Sequence, residues 1–134
     1  MKSLAKLKKI KGDASFRKFY RNRENKSILV ISKKEKLKNL LIYDSINKIL
    51  VKNKILAPNL LSENYINNCI EINDFGEQTL FQILKNKRNN KYIFFKKIIK
   101  ILNKIQSIKD KKVKNFKNKL YKIQEYNNKI LIDE

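Results

Sequence analysis

The chain has 134 residues, about one domain with a modest core, and carries a formal charge of +21 from 33 basic and 12 acidic side chains. With no histidine and one cysteine, Cys69, it excludes a zinc site, a histidine-based triad or general base, and a disulfide framework. A lone cysteine fits a reducing compartment, and neither an 18-residue apolar run nor an apolar signal-peptide core is present, so a cytoplasmic protein with no membrane partner is expected.

Residues 8–11 lead into a turn at Gly12, after which Phe16, Lys18 and Tyr20 alternate with Arg17, Phe19 and Arg21 at the period of a strand. The turn signal Asn22-Arg23-Glu24-Asn25-Lys26 precedes Ser27-Ile28-Leu29-Val30-Ile31-Ser32, a β-branched run that reads as a buried strand and completes a three-strand meander. From about residue 35 to 53 the period lengthens, and Ile42, Ile46, Ile49 and Leu50 mark one helix face. Pro58 excludes further helix. Asn59-Leu60-Leu61-Ser62, a turn around Glu63-Asn64, and Asn68-Cys69-Ile70-Glu71-Ile72 predict two short strands that end at Asp74-Phe75-Gly76. Thr79 is placed to cap a short helix over 80–84, followed by a polar connector over 85–90. Phe94, Ile98, Ile101, Leu102, Ile105 and Ile108 give the strongest helical stripe in the chain, and Phe116, Leu120 and Ile123 predict another helix running towards Ile130. The fold class is α+β.

The stretch Gly12-Asp13-Ala14-Ser15-Phe16-Arg17-Lys18-Phe19-Tyr20-Arg21 has a phosphate-binding character. Gly12 permits a tight turn, small Ala14 and Ser15 let backbone N–H groups approach an anion, and the Ser15 hydroxyl and Arg17 guanidinium can donate to phosphate oxygens. On its own the stretch also fits an ordinary hairpin with a solvated arginine. It closely resembles, however, the Gly-Asp-Ala-Ser-Phe-Arg-Arg-Tyr-Phe-Arg pattern of the aminoglycoside phosphotransferase and choline kinase-like superfamily. The likeness is to the bacterial cell-wall kinases that phosphorylate N-acetylmuramate and N-acetylglucosamine at the anomeric hydroxyl. Seven of the ten positions are identical, and Lys18, Phe19 and Tyr20 are conservative exchanges.

Three further segments resemble that family in the right order. Leu56-Ala57-Pro58-Asn59-Leu60-Leu61 is similar to its Leu-Pro-Val-Pro-Glu-Val-Leu, and Ile72-Asn73-Asp74-Phe75-Gly76-Glu77-Gln78-Thr79-Leu80 to its Leu-Glu-Asp-Leu-Gly-Asp-Arg-Thr-Tyr. Ile101-Leu102-Asn103-Lys104-Ile105-Gln106 is similar to its Leu-x-x-Leu-Gln. The resemblance implies a protein-kinase-like N-lobe over 1–76, with about five antiparallel strands and one helix, and hinge-following helices of an incomplete C-lobe over 77–134. It implies binding of ATP or another nucleoside triphosphate, with magnesium in the full-length enzyme. Asp13, Ala14, Ser15, Phe16 and Arg17 would take the phosphates, and the backbone of Asn73, Asp74 and Phe75 the adenine edge.

The pattern breaks at Val30-Ile31-Ser32-Lys33-Lys34-Glu35, where the family has Met-Asp-Ala-Pro-Pro-Glu. Kinases place a phosphate-holding lysine on this strand, and Lys33, oriented by Glu35 or Asp44, is the candidate, against the plainer reading of a solvated lysine. Two look-alikes are set aside. Asp74-Phe75-Gly76 spells a magnesium-binding motif, and Asp110 and Asn115 have catalytic-loop spacing, but their order is the reverse of a kinase's and no histidine precedes Asp110. The superfamily's His-x-Asp-x-x-x-x-Asn loop and later metal-binding Asp are absent from these residues. A fragment that is inactive alone, with no catalytic or metal ligand residues, is therefore expected; its partners would be a nucleotide, the missing C-lobe, and an amino sugar only in a complete enzyme.

Charge supports a different partner only weakly. Of the 33 basic residues 29 are Lys, and only Arg17, Arg21, Arg23 and Arg88 offer the guanidinium fork favoured in phosphate and base recognition. Lys, Ile and Asn fill 67 positions, and all three have A- and T-rich codons, so genome bias accounts for the balance without a ligand. A basic nucleic-acid-binding module is disfavoured but remains an alternative, as does a helical interaction protein using the stripe from Phe94 to Ile108.

Overall fold

The computed structural model describes residues 7–11, 16–86 and 90–123. Its main body is a five-stranded antiparallel sheet in the order β1-β2-β3-β5-β4, built from β1 (Lys8–Ile10), β2 (Arg17–Asn22), β3 (Ser27–Ser32), β4 (Leu60–Asn64) and β5 (Cys69–Asn73). Helix α1 (Lys38–Lys52) crosses from β3 to β4. The fold is thus α+β, and the expected succession of three strands, a helix and two strands is present.

Alternation along the strands decides which face is covered. Phe19 pairs with Val30 and Val30 with Ile70, while Ile28 pairs with Ile72. Ile28, Val30, Ile70 and Ile72 are buried with Leu40 of α1 as one apolar cluster, with Phe19, Tyr43, Tyr65 and Phe116 packed against it. The intervening residues Leu29, Ile31, Cys69 and Glu71 point to the opposite, more open face.

The turns follow local chemistry. The Asn22 side chain accepts from the N–H groups of Glu24 and Asn25 and closes the β2–β3 turn, where Lys26 takes a left-handed φ of 49°. The break between β4 and β5 lies later than the sequence signal: β4 runs through Asn64, and the chain reverses in a 3-10 turn (Tyr65–Asn67) ending at Asn68 with φ of 57°. Helix α1 stops before Pro58 acts, because Lys54 adopts φ of 55° and Asn53 turns its amide back to the Ile49 carbonyl.

The helix is also rotated from the expected stripe. Its buried residues are Leu40, Asp44, Ser45 and Ile49, whereas Ile42 is 36% exposed. Two polar side chains sit inside because both are satisfied: Ser45 donates to the Leu41 carbonyl, and Asp44 accepts from the Phe116 N–H at 2.9 Å and pairs with Lys48.

The C-terminal part holds α2 (Leu80–Lys85) and α3 (Lys91–Gln106). Thr79 caps α2 as expected, accepting from the Gln82 N–H while the Gln82 side chain accepts from the Thr79 N–H. The helix expected from Phe116 is instead a hairpin of β6 (Lys112–Lys114) and β7 (Leu120–Lys122). The i, i+4, i+7 spacing of Phe116, Leu120 and Ile123 was coincidental. The buried Asn115 side chain accepts from the N–H groups of Lys117 and Lys119, and Asn118 takes φ of 55°, so a turn interrupts the helical spacing. The continuation towards Ile130 lies outside the described residues.

Candidate functional site

The β1–β2 hairpin pairs Lys8 with Arg21, Lys9 with Tyr20 and Ile10 with Phe19, so the segment at 11–16 connects two antiparallel strands at the edge of the sheet. Of the expected phosphate-binding residues, Asp13, Ala14 and Ser15 lie outside the described residues; Phe16 immediately precedes β2 and Arg17 begins it.

Arg17 pairs across the sheet with Ser32 and lies on the side covered by α1. Its guanidinium stands over the Tyr43 ring, 4.9 Å from the centroid, and the same ring meets Phe19 edge-on at 6.5 Å. Phe16 is 62% exposed and carries the Lys36 ammonium over its face at 4.9 Å. Two cations thus stand at the foot of the connection, one on β2 and one on the 3-10 turn (Lys34–Lys36) after β3. Tyr43 and Lys36 escaped the sequence reading; an aromatic on the inner side of the predicted helix was the one available signal for Tyr43.

Lys33 is exposed at the end of β3, and Asp44, one of its two candidate partners, is engaged by Lys48 and Phe116 instead. Lys36, three residues on, is held against the Phe16 ring.

The other expected site segment follows β5. The Asn73 N–H donates to the Asn59 carbonyl and the Asp74 N–H to the Lys26 carbonyl, each at 3.2 Å, so neither of these two amides is available to a ligand. Phe75 is 55% exposed. The Asp74 carboxylate receives two bonds from Arg21, Nε to Oδ2 at 2.6 Å and Nη2 to Oδ1 at 3.1 Å. Arg21 Nη2 also donates to the Gly76 carbonyl at 2.6 Å, and Glu77 bridges Arg21 and Arg23 at 3.1 Å from each. The bonds from Arg21 hold the Asp74 carboxyl below the usual carboxylate range, and the Asp74 carboxylate in turn raises the Arg21 pKa.

The two look-alike groups have structural partners. Asp74 is committed to Arg21, while Asp110 binds Lys52 and the Asn53 amide, bonds that lower its pKa and tie the end of α1 to the start of the hairpin. Asn115 organises its own turn. Burial, then nearby Glu71 and Glu63, pushes the Cys69 thiol up, away from an activated nucleophile. Among the described residues no group of three or more Cys, Asp or Glu side chains is gathered to hold a metal ion. No helix among them is long and apolar enough to cross a membrane.

A concavity of about 560 Å3 lies on the open face of the sheet, lined by Leu29, Ile31, Ser62, Asn64, Cys69 and Glu71 among others, and it includes none of the expected site residues. Glu71 is engaged there by the hydroxyls of Ser27 and Ser62. Comparison of the chain with family models, with curated proteins and with solved structures finds no match.

Proposed function

We propose that the chain is the nucleotide-binding, N-terminal part of an ATP-dependent small-molecule phosphotransferase of the amino-sugar kinase type. One observation carries the reading. The two stretches that most resemble the family, 12–21 and 72–80, lie far apart in sequence, and Arg21 of the first bonds Asp74 and Gly76 of the second. The succession of strands and helix supports the same reading, as do the two cations at the foot of the loop. Phosphoryl transfer depends mainly on positioning and charge neutralisation, which is what a loop of small residues backed by Arg17 and Lys36 would supply to a triphosphate.

Magnesium would be held by residues other than Asp74, Asp110 and Glu71, whose carboxylates are committed to arginine, lysine or hydroxyl partners. The 134 residues contain no histidine, so the family's histidine-containing catalytic loop is not among them, and they would bind nucleotide without transferring phosphate. The half-exposed apolar stripe of α3 favours a second role for that helix, as a surface that packs on the remaining catalytic lobe.

Calorimetric titration of the chain with ATP at physiological salt tests the proposal. Saturable one-to-one binding, without ATP-dependent phosphorylation of N-acetylglucosamine or N-acetylmuramate, is expected. Absence of saturable ATP binding, together with duplex DNA binding that weakens steeply with salt, would favour the basic nucleic-acid module instead.

A further inference from the structure

Asp74 is one of the residues whose backbone is assigned to the base edge of a nucleotide, yet its side chain takes no part in that assignment. The structure gives it a different task. Its two carboxylate oxygens are held by Nε and Nη2 of Arg21, in the bidentate geometry that fixes direction as well as distance. Oδ1 also accepts from the Gly76 N–H at 2.8 Å, and Arg21 Nη2 returns to the Gly76 carbonyl at 2.6 Å. The Asp74 N–H is tied to the Lys26 carbonyl in the β2–β3 turn. Both side chains are largely buried, at 13% and 12% exposure.

The segment after β5 is therefore closed into a loop by three separate ties, all to β2 or its turn. Gly76 has φ of +91° and nothing within 4 Å of where a Cβ would stand, so glycine is required by the backbone angle alone and not by crowding. That angle lets the chain double back so that both its N–H and its carbonyl reach the Arg21–Asp74 pair.

We infer that Arg21 and Asp74 form a positioning clamp that fixes the turn at 73–76, with the Asn73 and Asp74 amides bonded inside the protein and the Phe75 backbone set to meet a nucleobase, coupling the base end of the site to β2. The inference rests on the nucleotide-binding reading. Arg21 itself serves neither base nor phosphate, because its guanidinium is filled by Asp74, Gly76 and Glu77.

A clamp of this kind predicts a selective defect. Asp74→Asn removes the charge and Arg21→Lys keeps the charge but removes the fork; each is titrated with ATP and with inorganic tripolyphosphate, which presents the phosphates without the base. The ratio of the two affinities cancels the change in net charge and any fraction of unfolded chain. ATP affinity is expected to fall about tenfold in each variant while tripolyphosphate affinity stays within about twofold of the unsubstituted chain. If both ligands weaken together, or ATP affinity is unchanged, the clamp has no positioning role. If the unsubstituted chain binds tripolyphosphate but gains nothing from the adenosine, the base-end assignment fails as well; if it binds neither ligand, the nucleotide reading itself falls.

Discussion

The two ends of the molecule treat apolar side chains in opposite ways. In the sheet and α1, Val30, Leu40 and Ile70 are completely buried, while in the α3 stripe Ile101, Leu102 and Ile105 remain 48%, 51% and 40% exposed. Yet α3 has the more regular apolar stripe in sequence. The difference teaches that periodicity reports the secondary structure of a segment, and that the cover over its apolar face comes from elsewhere in the fold.

The largest test of that contrast is a pair of leucine truncations followed by urea denaturation. Leu40→Ala removes a fully buried side chain and should cost about 3 kcal/mol. Leu102→Ala, in a residue already half in water, should cost less than about 0.5 kcal/mol. Equal losses would break the contrast and mean that α3 is as tightly covered as α1.

A smaller effect sharpens it through pH, since the ties that close the N-terminal part involve carboxylates. Asp74 has its folded-state pKa depressed, first by the hydrogen bond from Arg21. Its contribution to stability is therefore fully present above the unfolded carboxylate pKa and is lost as pH falls through the folded one. The melting temperature should drop on acidification below about pH 4, and the drop should be shallower in Asp74→Asn. The same acid slope in both proteins would remove Asp74 from the account.

Much of the sheet was legible in the sequence because its signals are local. The β-branched run of 27–32 and the Asn-rich turn before it specify β3 and its hairpin with little help from the rest of the chain. The face of α1 was not legible: Asp44 is buried with its carboxylate satisfied by the distant Phe116 N–H, and a long-range partner leaves no mark in local periodicity. The β6–β7 hairpin was missed for a related reason, since three-residue strands carry too few alternations to compete with a chance helical spacing. At the candidate site, Arg17 is proposed from its motif, whereas the placement of Lys36 against Phe16 and the pairing of Arg21 with Asp74 depend on contacts that only the folded chain creates.

The most direct test of the nucleotide reading is to map, by amide chemical-shift changes, where ATP touches the chain. Nucleotide-dependent shifts should concentrate at Phe16, Arg17 and Lys36 and at residues 73–75. Shifts confined to Leu29, Ile31 and Cys69 around the open-face concavity, or none at saturating nucleotide, would contradict it.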